Sequence, residues 1–250
     1  MRVSFTPRAL RPTIWIDYAS KHQLTIGHFR LDHCTAKYLA PSTIYMPTVT
    51  MPVTEFSRLT LKSGLNEDQK LFAKRGLSRA KKLMEDFTGY NFHIFQEIED
   101  VDHTYIVGKW ASVEQHMNAW IPSEANQGLL KDLGPFIDLD YLFHIDVSFG
   151  SIPPSEESPI FSVGRHVMES EKRPDFETTF KNRRSGLEVH APGSINGGWR
   201  IEKEPGREEF VLFTPWRDVD QHMALAKTKE FEDMSRSAII FCSMLPKYAM

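Results

Sequence analysis

The chain has 250 residues, 41% hydrophobic and 25% charged, enough apolar side chain for a core and too much for wholesale disorder. Thirty Lys and Arg against 33 Asp and Glu leave a net charge of −3, without the clustered basic footprint of a nucleic-acid binder. Cys34 and Cys242 lie too far apart for a disulfide framework, and no run approaches the roughly 18 apolar residues of a membrane span.

Arg2, Arg8, Arg11 and Asp17 interrupt every apolar run near the start, so no signal-peptide core is read there. The expectation is a soluble, cytoplasmic protein with no nucleic-acid or membrane partner. Lys81-Lys82 and Arg183-Arg184 read as solvated helix faces. Residues 1–43 are expected as an irregular arm, punctuated by Pro7, Pro12 and Pro41. His22, His28, His33 and Cys34 fall in it, at a spacing that fits no common zinc pattern.

Val53 to Lys62 reads as the first strand. Asn66-Glu-Asp-Gln69 starts a helix, with a capping Asn and acids in the first turn. Leu71, Phe72, Leu77, Ala80, Leu83, Met84 and Phe87 give it one apolar stripe, and Gly89 stops it. Tyr90 to Ile98 and Thr104 to Trp110 read as strands joined by a turn-like acidic link. Ser112-Val-Glu-Gln115 is a capping box, and Pro122-Ser-Glu opens a further helix that ends near Gly134-Pro135.

Asp138 to Phe149 alternates as a strand. Leu139, Tyr141, Phe143, Ile145, Val147 and Phe149 share one face, while Asp138, Asp140, His144 and Asp146 share the other. The aromatic face is expected to pack on helices, leaving His144 to look into the space between sheets.

Ile152 to Pro159 reads as a linker. Beyond it come a strand from Ile160 to Met168, a helix from Pro174 to Arg184 and a turn at Asn196-Gly197-Gly198. Strands follow at Trp199 to Lys203 and Glu209 to Trp216, and then a helix starting at Asp218. Only Ile239-Ile240-Phe241 remains for a closing strand, and the reading leaves that strand open.

One motif occurs twice: Trp110-Ala-Ser-Val-Glu-Gln115-His116-Met117 returns 106 residues later as Trp216-Arg-Asp-Val-Asp-Gln221-His222-Met223. That offset suits a duplicated small domain. The expected class is α+β: tandem ferredoxin-like repeats, at 44–150 and 158–250, forming an intrachain barrel.

The run Trp110 to His116, Pro122-Ser-Glu-Ala-Asn126-Gln, Leu133-Gly-Pro135 and Phe143-His144-Ile-Asp146 resembles the dimeric α+β barrel superfamily. The branch it most resembles is antibiotic-biosynthesis-monooxygenase-like, of the type found in fungal secondary metabolism. The resemblance covers residues 50–148, and 158–225 more weakly. It implies cofactor-free oxygenation or cyclisation of an aromatic, polyketide-like substrate in a monooxygenase, cyclase or isomerase. Haem-binding relatives exist in the same superfamily, so a haem-dependent dehydratase-like enzyme is an alternative, and a homodimer is open. A non-catalytic ligand-binding barrel is the reading from another class.

For chemistry, His144 is the first candidate acid or base, with Asp146 two residues away to fix its tautomer, and His116 is the second. Loss of His144 is expected to cut turnover by at least about a hundredfold and to change the melting temperature little. Trp110, Trp120 and His93 are the expected substrate-binding residues. No Gly-rich dinucleotide fingerprint and no metal-ligand spacing is present, so no cofactor and no metal are expected.

Overall fold

Alternation of Val53, Glu55, Ser57 and Leu59 with Thr54, Phe56 and Arg58 makes β1 (Val53–Leu61) a strand buried on both faces. The computed structural model describes residues 51–147, 160–191, 195–225, 227–228 and the backbone of 239–246, all within one compact unit, Thr48–Met250. The expected arm at 1–43 and linker at 152–159 lie outside the described residues.

Helix α1 (Glu67–Thr88) starts at the expected cap: Gln69 N–H donates to Asn66 Oδ1, and the Gln69 side chain accepts from Asn66 N–H, both at 2.9 Å. It stops at Gly89, whose φ of 72° is left-handed. Its buried row is Ala73, Leu77, Ala80 and Met84. Leu71, Phe72 and Phe87, expected in that stripe, are about half exposed.

Three further strands complete the first sheet: β2 (Phe92–Gln96), β3 (His103–Trp110) and β4 (Ile137–Ile145). Between β3 and β4 run a π-helical turn (Gln115–Trp120) and α2 (Glu124–Leu133), the latter capped by Ser123. The sheet order is β2-β3-β1-β4, antiparallel throughout.

The same plan follows again. β5 (Ile160–Glu169), α3 (Arg173–Glu188), β6 (Asn196–Trp199), β7 (Arg207–Trp216), α4 (Val219–Leu225) and β8 (Ile239–Pro246) give the order β6-β7-β5-β8. Each half is a ferredoxin-like βαββαβ unit. The open question of a closing strand is answered by β8, which pairs with β5 over Ile160 to Val167. The expected turn at 196–198 is instead β6. Its glycines sit where a backbone must come close: a Cβ on Gly198 would stand 2.7 Å from Asp146 Oδ1.

The two sheets pack face to face around one core. Phe56, Phe95, Tyr105, Val107, Phe143 and Ile145 come from the first sheet; Phe161, Val163, Val211 and Phe213 come from the second. Arg165 lies over the Tyr141 ring at 4.5 Å and pairs with Glu209, so the charges reaching this space are matched. Burial pushes the Tyr141 hydroxyl well above the usual tyrosine range, so it stays neutral. At one seam β4 meets β6: Asp146 N–H donates to Trp199 O (3.0 Å), and Ile201 N–H donates to His144 O (2.8 Å). At the other, β2 lies beside β8. The result is an eight-stranded barrel with helices outside. Among the described residues no helix is long and apolar enough to cross a membrane.

The facing of β4 reverses the expectation. Tyr141, Phe143, Ile145 and Val147 point into the barrel, and His144 points to the helix side of the first sheet. The aromatic rings of β4 meet the apolar face of the second sheet there, which buries them on both sides. The helix side is filled instead by Leu77, Met84, Ile106, Trp110, Trp120 and Leu129, with polar groups only where partners await them.

Candidate active site on the helix side of the first sheet

Trp110 ends β3, opposite Val53, and is fully buried. Its Nε1–H donates to Glu55 Oε2 at 2.8 Å. Ser57 donates its hydroxyl to the other oxygen, Glu55 Oε1, at 3.0 Å. Glu55 thus sits two residues along β1 with both oxygens held, and it is 3% exposed.

The turn after Trp110 sets His116. Gln115 N–H donates to Ser112 Oγ (3.1 Å), and Gln115 Oε1 accepts from Ala111 N–H (2.8 Å). Ser112 caps as expected, while the Gln reaches Ala111 rather than the cap residue itself. The chain then winds wide: Ile121 N–H donates to His116 O five residues back, at 2.9 Å. A π-turn of this kind marks functional sites more often than ordinary helix does. It lays the His116 ring flat on Trp110, 4.1 Å apart and 4° from parallel.

His144 stands on β4 directly opposite Glu55. Its Nε2 lies 2.8 Å from His116 Nδ1. Its Nδ1 lies 2.5 Å from Glu202 Oε1, and its backbone N–H donates to Glu202 Oε2 at 2.8 Å. Glu202 follows β6, so it belongs to the second half and crosses the seam. His116 Nε2 faces Glu55 Oε2 at 3.9 Å. Four titratable groups therefore form one line: Glu55, His116, His144, Glu202.

Their environments differ. Burial pushes the Glu55 carboxyl above its usual range, against the Trp110 and Ser57 hydrogen bonds and the nearby His144, which pull it down. Burial, and then His144, push His116 well below the usual histidine range. Burial would raise Glu202, but the hydrogen bonds from His144 outweigh it and leave Glu202 below the ordinary carboxylate value. At neutral pH His116 is a neutral imidazole and Glu202 a carboxylate.

When both rings are uncharged, hydrogen-bond accounting fixes their tautomers. An ionised carboxylate only accepts, so His144 Nδ1 carries a hydrogen and donates it to Glu202. His144 Nε2 is then an acceptor, and His116 Nδ1–H donates to it. His116 Nε2 is left as a bare base aimed toward Glu55.

The two first-choice histidines are thus brought together, which sequence spacing did not foretell. Asp146 is not their partner: its Oδ1 accepts the Trp199 N–H (2.6 Å) at the seam, and Glu202 holds the imidazole instead. Trp110 touches the site directly. Trp120 is buried 6.2 Å from Trp110 and 5.3 Å from Phe87, supporting the stack from behind. His93 lies across the sheet, stacked with Phe95 at 6.0 Å on the barrel side, away from the line. Glu55 carried one signal, an acid inside a strand with Val53 and Phe56 close by. Glu202, in a short charged stretch, carried none.

The second half serves as an internal comparison. Trp216 sits opposite Ile160 as Trp110 sits opposite Val53. Gln221 repeats the Gln115 cap, donating its N–H to Asp218 (2.7 Å) and accepting from Arg217 N–H (2.9 Å). Trp216 Nε1–H, however, donates to Ser162 Oγ (2.8 Å), where the first half has Glu55. The position opposite Ser162, matching His144, is held by Met244. His222 meets Trp216 edge to face rather than flat. The cap and the tryptophan are scaffold common to both halves; the acid and the second histidine belong to the first alone. Among the described residues no group of three or more His, Cys, Asp or Glu side chains could hold a metal ion.

No family model and no curated protein sequence matches the chain. Solved structures do. The "Putative monooxygenase" of Fusobacterium nucleatum superposes with a TM-score of 0.56 at 15% identity, covering 79% of this chain and 93% of its own. An "anthrone oxidase-like protein" gives 0.59 at 8%, covering 79% and 92%. A "Putative Chlorite dismutase" gives 0.53 at 15%, covering 80% and 95%. At such identities the likeness is one of fold, and this chain has that fold: two ferredoxin-like halves closed into an α+β barrel within a single polypeptide.

Proposed function

We propose that the first half is an acid–base active site for an apolar, aromatic, polyketide-like molecule, working without a cofactor. The observation that carries this reading is the pair His116 and Glu55. They stand 3.9 Å apart, and burial drives their affinities for protons in opposite directions. A base kept neutral beside a carboxyl whose hold on a proton is strengthened is the arrangement that acid–base enzymes build by burial. His116 Nε2 takes an acidic C–H or phenolic O–H proton; Glu55 supplies a proton to the oxygen where charge develops. The resulting carbanion or phenolate reacts with dioxygen or closes a ring. Trp110, flat against His116, offers the aromatic wall. His144, with both ring nitrogens engaged, supports the base rather than meeting substrate.

A non-catalytic binding barrel would scatter its histidines, whereas His116 and His144 converge. A haem protein would need an imidazole nitrogen facing open space. His144 has both ring nitrogens engaged, and His166 is wedged against Phe176 and Phe210, so neither of these two residues fits that group.

The likeness to an anthrone oxidase-like fold makes anthrone a natural first probe. Proton–deuterium exchange at its acidic methylene, and oxygen uptake, are measured with and without protein. The wild type should accelerate both, and His116→Asn should lose at least about a hundredfold, the low end for a general base. An Asn variant as fast as wild type would rule the assignment out.

A further inference from the structure

We propose that Glu202, supplied by the second half across the barrel seam, is the positioning residue that sets the tautomer of both histidines and receives the proton they relay. The inference rests on the base assigned to His116 above. It explains why the second half, which lacks the counterpart of Glu55 and of His144, is kept against the first.

Glu202 grips His144 at two points, the backbone N–H at 2.8 Å and Nδ1 at 2.5 Å. A carboxylate held this way requires a hydrogen on His144 Nδ1, so an uncharged His144 has one tautomer, Nδ1–H. That choice passes down the line, because His144 Nε2 must then accept from His116 Nδ1–H, which frees His116 Nε2. Reverse the first tautomer and the last nitrogen carries a hydrogen and is no longer a base. The line from Glu55 to Glu202 is drawn from two strands, one turn and a residue next to the seam.

The same line conducts. When His116 Nε2 gains a substrate proton, its Nδ1 proton passes to His144 Nε2, and the His144 Nδ1 proton passes to Glu202. Three short transfers leave both rings neutral in the opposite tautomer, with one proton on Glu202. No charge is left on either ring, which matters because both are 1% exposed or less. The Glu202 side chain is 38% exposed and exchanges with water. The reverse flow returns a proton to product and resets the tautomers.

Nitrogen-15 NMR of histidine-labelled full-length protein reads the tautomers directly, without any substrate. Wild type should show His144 and His116 both as Nδ1–H. In Glu202→Gln the amide can donate to Nδ1, so both rings should shift toward Nε2–H, while Glu202→Asp should restore Nδ1–H. On a substrate turned over by the wild type, Glu202→Gln should lose at least about tenfold, the low end for a group that orients a ligating or catalytic histidine. An Nε2–H signal from His144 in wild type overturns the proposal even if the variants fail to fold. So does an unchanged tautomer in a folded Glu202→Gln. Correct tautomers without turnover of any aromatic probe would instead count against the function proposed for the site and leave this inference standing.

Discussion

His166 shows at the scale of one residue what burial of an imidazole entails. It is 9% exposed on β5, against Phe176 at 5.3 Å, and its Nδ1 has no hydrogen-bond partner. Burial pushes it from the usual 6.5 down to about 4. Between those values the unfolded chain binds a proton that the folded chain refuses, so stability is whole above pH 6.5 and is lost as pH falls through 4. At pH 5 that amounts to about 2 kcal/mol. His166→Leu, close in volume and unable to titrate, should therefore raise the melting temperature at pH 5 relative to wild type and change it less at pH 7.5. Equal shifts at both pH values would refute the mechanism. His116 has the same sign, its value also being lowered. Glu55 has the opposite one: a raised carboxyl holds its proton in the folded state and loses stability as pH rises above the ordinary 4.5. His144 differs from the sequence expectation that its loss would leave stability intact. It is fully buried and satisfies both His116 and Glu202. His144→Ala should cost about 1–3 kcal/mol per partner left unsatisfied, seen as a lowered urea midpoint, along with any activity.

At the scale of elements the repeated motif divides cleanly into scaffold and chemistry. Gln115 and Gln221 each accept an N–H four residues back, at 2.8 and 2.9 Å. Gln221 also donates to His190 O at 3.0 Å. Gln115→Ala should cost about 1 kcal/mol, the usual loss for a helix cap, and Gln221→Ala more because two bonds go. Denaturant midpoints read both; an unchanged midpoint for Gln221→Ala would show that its bonds count for nothing net. These caps were legible in the sequence because capping is local: Ser112 and Gln115, or Asn66 and Gln69, are three apart and need no tertiary partner. Most strands were legible for the same reason, from alternation; the strand expected at Trp199 to Lys203 is β6 at Asn196–Trp199, and β8 was left open. The facing of β4 was not, because alternation gives two faces without saying which closed space each one meets. The Gly197-Gly198 pair read as a turn because glycine has two uses in a strand protein, and only the neighbour tells them apart. Here that neighbour is Asp146, just past the end of β4. The π-turn at Gln115–Trp120 left no trace in spacing, since His116 and Trp120, four apart, share a face in an α-turn as well.

At the scale of the molecule, function in the first half depends on how the second half docks. Asp146 and Trp199 exchange two hydrogen bonds at the seam, and Ile145 and Arg200 form the bridge between them. Glu202 reaches His144 only because β6 runs this close to β4. Gly198 is what permits the approach: a Cβ there would stand 2.7 Å from Asp146 Oδ1 and 2.9 Å from Val147 N, and backbone cannot yield as a flexible side-chain tip does. Gly198→Ala should therefore push the seam apart without touching any of the four titratable groups. Two effects should arrive together: a lower melting temperature and loss of the single Nδ1–H tautomer at His144. Asp146→Asn removes only charge from the seam and keeps an oxygen that can accept the Trp199 N–H. It should leave the tautomer in place, which separates docking distance from seam electrostatics. If Gly198→Ala lowered stability while His144 kept its wild-type tautomer, the coupling between barrel closure and the histidine pair would be wrong. The pair would then owe its order to the first half alone.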